Sequence, residues 1–323
     1  MGRPVINLNK KPRILHIGMC VNPPPLNGLQ RAFIKHSSEY VELHCGENDV
    51  NAKAIRLAQN MKPDIIFIQV QASNIISEYT AYHLKQTGAF IVNYTGDVRC
   101  PIPQFYYDLG KYIDYTLFSN MTDVLEMQEK GCRAEYLEIG IDETIYNPTG
   151  DVIPCKPIVF FGNNYGAGYF PMSEFRINMV SYLKTRFPNE FAVFGNGWLN
   201  ADGNLNASQH EEAKAYRGTK IAINVSHFEY IKYSSDRLLR ILGTGTAICL
   251  AKWYPSIEDD FKDGVHLRTW NTLEELENLC IHYMNPENES ERIKIANAGM
   301  ELAHEKFTFN NMIENLIEIY KKK

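Results

Sequence analysis

The chain has 323 residues, of which 33 are Lys or Arg and 38 are Asp or Glu, and 45% of it is hydrophobic. That composition excludes a disordered chain, and the length exceeds what one ordinary core holds, so two domains of about 150 residues each are expected. Residues 1–150 carry 14 basic against 16 acidic residues and residues 151–323 carry 19 against 22, so neither half is a basic body built to neutralise many phosphates.

From Arg13 onward short apolar runs alternate with amphipathic segments. RILHIG (13–18) reads as a strand, and the three prolines of the following loop exclude helix there. GLQRAFIKHSS is predicted helical, YVELHC a strand, NAKAIRLAQNMK a helix ended by Pro63, and DIIFIQVQ a buried strand. ISEYTAYHLKQTG (helix), AFIVNYTGD (strand), QFYYDLGKYI (helix), DYTLFSN (strand), VLEMQEKG (helix) and AEYLEIGID complete the first half. The polar, Pro/Gly-rich NPTGDVIPCKP (147–157) marks the expected boundary. Beyond it come PIVFFGN, the helix FRINMVSYLKTRFP, the strand EFAVFGNG, the helix HEEAKAYRG, the strand KIAINVS, the helix DRLLRILGTG and the strand TAICL. Three periodic helices close the chain. Strand and helix alternating at this pitch predict parallel sheets covered on both faces, hence an α/β chain of two tandem Rossmann-like doubly wound domains. The domains are placed at 1–150 and 151–305, with a terminal helix over 306–323. Ligands of open α/β sheets bind at the carboxyl ends of the strands, so a cleft between the two domains is the expected binding place.

The seven cysteines form no CxxC pair, which points to reduced thiols in a cytoplasmic protein and to neither a disulfide framework nor a zinc site. No window approaches the apolar length of a membrane span, and the N-terminal segment lacks an apolar signal region. The histidines show no ligand spacing, and Asp259-Asp260 reads as a solvated acidic loop, so no metal is expected.

Several segments carry possible chemistry. The strand end Gly162-Asn163-Asn164 turns tightly and would offer backbone N–H groups to a phosphate or sugar hydroxyl, or is an ordinary turn. In FGNGW (194–198), Gly197 shapes a second loop, and Trp198 would stack on a base or cap the core. Arg217 and Lys220 flank the start of the strand KIAINVS. In SSDRLLRILGTG (234–245), Ser234, Ser235 or Asp236 would cap a helix whose N-terminus suits a diphosphate, and Arg237 adds a cation there. A cation at a helix N-terminus opposes the dipole, which favours a ligand-binding role. In the first half, Asp97 follows an apolar strand where a carboxylate can deprotonate or orient a hydroxyl, with Arg99 beside it, or else caps the turn before Pro101. Gly18 and Asn22 lie in or beside the loop after the first strand, a place for acceptor or diphosphate contacts.

The order PIVFFGNN, FGNGW, YRGTKIAINVS, SSDRLLRILGTGTAICL resembles the CgeB-like branch of GT-B glycosyltransferases, whose C-terminal domain is shared with family-4-type transferases. The resemblance is clear over about 157–320 and general over 13–150. It implies a nucleotide-sugar donor, a UDP-sugar, held by the C-terminal half, with Arg217 or Lys220 near the diphosphate and no cofactor. It also implies a terminal helix returning to the N-domain and an acidic residue after the strand that Asp97 follows. The chain departs from the pattern at Arg240, where the family has a Glu for the ribose hydroxyls, and at Lys232, eight residues earlier, where family-4 enzymes have another Glu. Arg cannot accept a hydrogen bond, so either Asp236 or another group reads the ribose, or the donor differs from a common UDP- or GDP-sugar. The expected activity is sugar transfer (hexosyl or pentosyl) to an acceptor hydroxyl. A glycan, a small molecule or, for a phage-type enzyme, a modified DNA base would serve as acceptor. A non-catalytic nucleotide-sugar-binding protein is the alternative outside enzymology.

Overall fold

The computed structural model describes residues 10–19, 26–203 and 208–322; Asn22 lies outside them. The chain divides into two compact units, one comprising Met1–Gly140 with Phe309–Lys323, the other Ile141–Thr308. The break at Ile141 precedes the Pro/Gly-rich stretch.

The first unit holds strands β1 (Arg13–Gly18), β2 (Glu39–His44), β3 (Ile65–Ile68), β4 (Phe90–Thr95), β5 (Tyr115–Phe118) and β6 (Ala134–Tyr136). They form a parallel sheet in the order β2-β1-β3-β4-β5-β6. Its central strands show no alternation of burial because helices cover both faces; every residue of β3 and β4 is buried, Asn93 and Thr95 included. The helices are α1 (Gly28–His36), α2 (Val50–Met61), α3 (Glu78–Lys85), α4 (Gln104–Gly110), α5 (Met121–Glu129) and the chain's last helix, α11 (Phe309–Lys321). Helix α1 starts at a capping box in which Asn27 and Gln30 satisfy each other's backbone N–H groups. Helix α11 lies on this sheet beside α1 and buries Met312, Ile313 and Leu316 among Ile14, Phe33, Phe67 and Phe90.

The second unit holds β7 (Ile158–Phe161), β8 (Phe191–Phe194), β9 (Ile221–Asn224), β10 (Ile248–Lys252) and β11 (Arg268–Trp270), parallel in the order β11-β10-β9-β7-β8. Helices α6 (Ser173–Arg186), α7 (Gln209–Arg217), α8 (Asp236–Thr244), α9 (Leu273–Met284) and α10 (Glu289–Lys306) cover it. Helix α9 also opens on a capping box, Thr272 with Glu275. The chain enters and leaves this unit side by side, since Ile141 and Thr308 form a parallel bridge.

Both sheets therefore follow the doubly wound order in which the second strand of the unit lies outside the first and the third lies inside it. The chain reverses direction across each sheet between its first and third strands, at β1/β3 and at β7/β9, and the loops diverge there to leave a crevice.

Candidate functional site

In the second unit that crevice lies where β7 ends at Phe161 and β9 ends at Asn224. Gly162 follows β7 because nothing larger fits: a Cβ there would lie 2.3 Å from Nη2 of Arg176. Arg176 sits in the first turns of α6, 1% exposed, with its guanidinium 5.2 Å above the Phe160 ring. Its Nη1 donates to the His227 ring in the loop after β9, at 2.7 Å from Nδ1. Its Nε and Nη2 are buried with no partner, and so is Nε of Arg237. A second bond, from Met172 N–H to His227 C=O (3.1 Å), ties the α6 entry to the same loop.

The electrostatics are one-sided. Burial, then the charge of Arg237, lowers the Arg176 guanidinium to about 9. Burial, then Arg176 and Arg237, lowers His227 to about 3. His227 is thus a neutral acceptor near pH 7, and neither arginine has a carboxylate partner among the described residues. A buried guanidinium placed near a second one and without an anion costs free energy that a bound anion would offset.

Helix α8 adds to this field. Its N-cap residue, Ser235, makes no side-chain cap, because its hydroxyl is given to Asn224 Oδ1 (2.8 Å) and its N–H to Ser226 Oγ (2.8 Å). The expected Ser/Asp cap is therefore corrected: the helix N-terminus has no side-chain cap, and Arg237 projects from its first turn. Helix N–H groups without a side-chain cap beside a cation would suit an anion.

The other expected residues divide. The loop of Gly162, Asn163 and Asn164 is spliced to the loop after β8. Gly162 N–H bonds Phe194 C=O (2.8 Å), Asn164 N–H bonds Asn196 C=O (2.9 Å), and Asn163 Oδ1 accepts from Asn196 N–H (2.9 Å). Two of the N–H groups expected to face a ligand are thus already used. Gly197 lets the loops touch, since a Cβ on it would lie 2.1 Å from Asn164 C=O. Trp198 packs against the core and donates Nε1–H to Gly162 C=O at 2.5 Å, which makes it the clamp of the Gly162 turn. Arg217 and Lys220 do not join the crevice. They lie before β9, at the amino edge of the sheet, where Arg217 bonds the carbonyls of Ile145, Asn147 and Asp151 and Lys220 pairs with Glu289 at 3.4 Å. Arg240 is bound by two carboxylates, Glu212 (3.0 Å) and Asp236 (2.5 Å). Burial opposes its charge, but Asp236 and Glu212 outweigh burial and raise its pKa. The hydroxyls of Tyr146 and Tyr216 complete the shell of Glu212. Lys232 pairs with Asp260 at 3.3 Å.

In the first unit, Asp97 follows β4 with its side chain 67% exposed, 3.5 Å from Nη2 of Arg99. Arg99 donates its backbone N–H to Asp123 (3.0 Å), whose carboxyl burial raises. Gly18 closes β1 against His16 and Gln69, whose side chains bond at 2.8 Å. Sequence reading missed Arg176 and His227. The available signal was an Arg one turn into a helix whose remaining face is core-forming. Among the described residues no group of three His, Cys, Asp or Glu side chains is placed to hold a metal, and no helix is long and apolar enough to cross a membrane.

Two tandem doubly wound α/β units in one chain are the architecture of the GT-B fold, and comparison with solved structures agrees. Residues 176–318 match the family of glycosyl transferase-like proteins. The fold matches HepE of Anabaena, solved in complex with UDP-glucose, with a TM-score of 0.62 at 11% identity over 97% of this chain and 100% of that one. It matches sucrose-phosphate synthase of Thermosynechococcus elongatus with a TM-score of 0.64 at 8% identity, covering 96% and 98% of the two chains. The lipopolysaccharide outer core galactosyltransferase WaaB is similar at 0.56 and 13% identity, over 96% and 100%. No curated protein matches the chain in sequence. The chain thus has a GT-B fold, and its residues 176–318 are similar to glycosyl transferase-like proteins.

Proposed function

We propose that this protein moves a sugar, hexosyl or pentosyl, from a nucleotide-sugar donor to an acceptor hydroxyl, with the donor diphosphate seated on Arg176, Arg237 and the N-terminus of α8. The observation that carries this reading is the pair of arginines without a counter-ion at the β7/β9 switch point. As the glycosidic bond breaks, negative charge grows on the leaving diphosphate. Fixed guanidinium and helix N–H donors stabilise that charge more than they stabilise the bound donor. The UDP-glucose held by the HepE neighbour supports a UDP-sugar as donor. Asp97, exposed after β4, is assigned to take the acceptor proton, with Arg99 beside it. The free thiols support a reducing compartment, the cytoplasm.

The test is a thermal-shift panel of nucleoside diphosphates, followed by mass spectrometry of nucleotide sugars incubated with the protein. Stabilisation by one diphosphate, lost in Arg237→Ala, and release of free sugar or transfer product are expected. No stabilisation by any of them would overturn the assignment. Stabilisation without turnover would favour a nucleotide-sugar-binding protein.

A further inference from the structure

Outside the two-arginine seat, an exposed aromatic pair lies in the loop between β7 and α6. Tyr165 is 50% exposed and Tyr169 is 66% exposed, their rings 5.4 Å apart and within 21° of parallel. The two rings stack on each other while each stays half or more exposed to water. Their backs are nonetheless fixed. Tyr165 meets His227 edge-on at 5.3 Å and Phe170 at 5.4 Å, and Tyr169 meets Phe170 at 4.6 Å. Phe170 in turn packs on the buried Phe228 at 5.3 Å. The loop is shaped by Gly166 and Gly168, both at positive φ, and by the Asn164 side chain, which accepts from Gly166 N–H at 2.9 Å.

We propose that Tyr165 and Tyr169 form a saccharide platform, on which the C–H face of a pyranose ring lies beside the anion seat. Position argues for it: His227, the ring that touches Tyr165, also takes the hydrogen bond of Arg176. One imidazole ring therefore links the tyrosine pair to Arg176. Chemistry agrees. The ring faces are electronegative and attract the positive C–H edges of a sugar, while phenol hydroxyls and amides at the rim serve its equatorial hydroxyls. The Asn163 amide already reaches the Tyr165 hydroxyl at 3.4 Å. The platform is one-sided: the ring neighbours of the pair are each other, Phe170 and His227. That suits a sugar with one apolar face better than a nucleobase, which gains most from a slot closed on both sides.

The proposal rests on the nucleotide-sugar reading for the neighbouring seat, and the experiment separates the two. Titration calorimetry compares wild type, Tyr165→Ala/Tyr169→Ala and Tyr165→Phe/Tyr169→Phe with UDP and UDP-glucose, and a saccharide array is probed with the same three proteins. Thermal melting checks that all three fold alike. If the platform holds the donor sugar, the alanine variant binds UDP-glucose about tenfold more weakly while UDP is unchanged. If it holds an acceptor sugar, the alanine variant loses array binding that wild type shows. In both cases the phenylalanine variant keeps most of the binding. Equal weakening of UDP and UDP-glucose would mark a base platform and overturn the proposal, as would three proteins that behave alike. Wild type that takes neither nucleotide defeats only the nucleotide-sugar reading, and the array then decides the platform by itself.

Discussion

At the scale of single residues, Arg176 and Arg240 show how one side chain type can do opposite work. Arg176 is buried without an anion, so its charge opposes folding; Arg240 is held between two carboxylates, so its charge supports folding. The first predicts that Arg176→Met leaves the melting temperature of the free protein unchanged or higher. The same change weakens nucleoside diphosphate binding roughly ten- to a hundredfold, through loss of charge-assisted hydrogen bonds worth about 1.5–3 kcal/mol each. The pH dependence has a definite sign. Because the free guanidinium sits at about 9, diphosphate affinity is full below that pH and falls as pH rises through it; calorimetry across pH 7–10 reads the decline, which Arg176→Met abolishes. The second predicts that Arg240→Ala strands the 3% exposed Glu212 and destabilises by about 3–5 kcal/mol. Denaturant unfolding measures this, and adding Glu212→Gln restores part of the loss. The place of Arg237 in the first turn of α8, with a buried unpartnered Nε, was legible from its conflict with the helix dipole. That of Arg240 was not, because Glu212 lies 28 residues earlier and only the folded chain brings the charges together. Lys220 misled for a related reason: opening a strand puts a residue at the amino edge of a parallel sheet, away from the switch-point crevice.

Among the elements, the loops after β7 and β8 behave as one piece. Gly195 sits at φ +140° with its would-be Cβ 2.2 Å from Gly162 C=O, whereas Gly166 at φ +91° has nothing within 4 Å. The backbone conformation is costly for any side chain at both positions, but only Gly195 also has a wall against it. Gly166→Ala should therefore cost about 1–2 kcal/mol, and Gly195→Ala distinctly more. Gly195→Ala should also impair diphosphate binding, because pushing Gly162 back moves the chain that roofs Arg176. Thermal melts with and without nucleoside diphosphate separate the two effects. The strands and helices themselves were readable from period and breakers alone, since a short unbroken apolar run such as β3, preceded by Pro63 and Asp64, fits a parallel strand covered on both faces. The splice between the two loops was not readable, because it is made by backbone N–H and C=O groups that every residue carries.

For the whole molecule, the consequence lies in how the first unit is assembled from both ends of the chain. Helix α11 contributes Met312, Ile313 and Leu316, 3%, 0% and 0% exposed, to the core over Ile14, Phe33 and Phe90. Burying three such side chains supplies roughly 5–9 kcal/mol, as large as the net stability of many domains. The first unit is therefore incomplete until residue 309 onward is made, and a chain ending at Thr308 should leave it unfolded or aggregating. The second unit has no such debt. Its strands, Arg176, His227 and Arg237 all lie within Ile141–Thr308, so the shortened chain should keep a diphosphate-dependent transition while losing the transition of the first unit. Calorimetric melting of the two chains, each with and without nucleoside diphosphate, makes the comparison. Loss of both transitions together would mean that the second unit depends on the first for its fold. Survival of both would mean that α11 adds little to the core it covers.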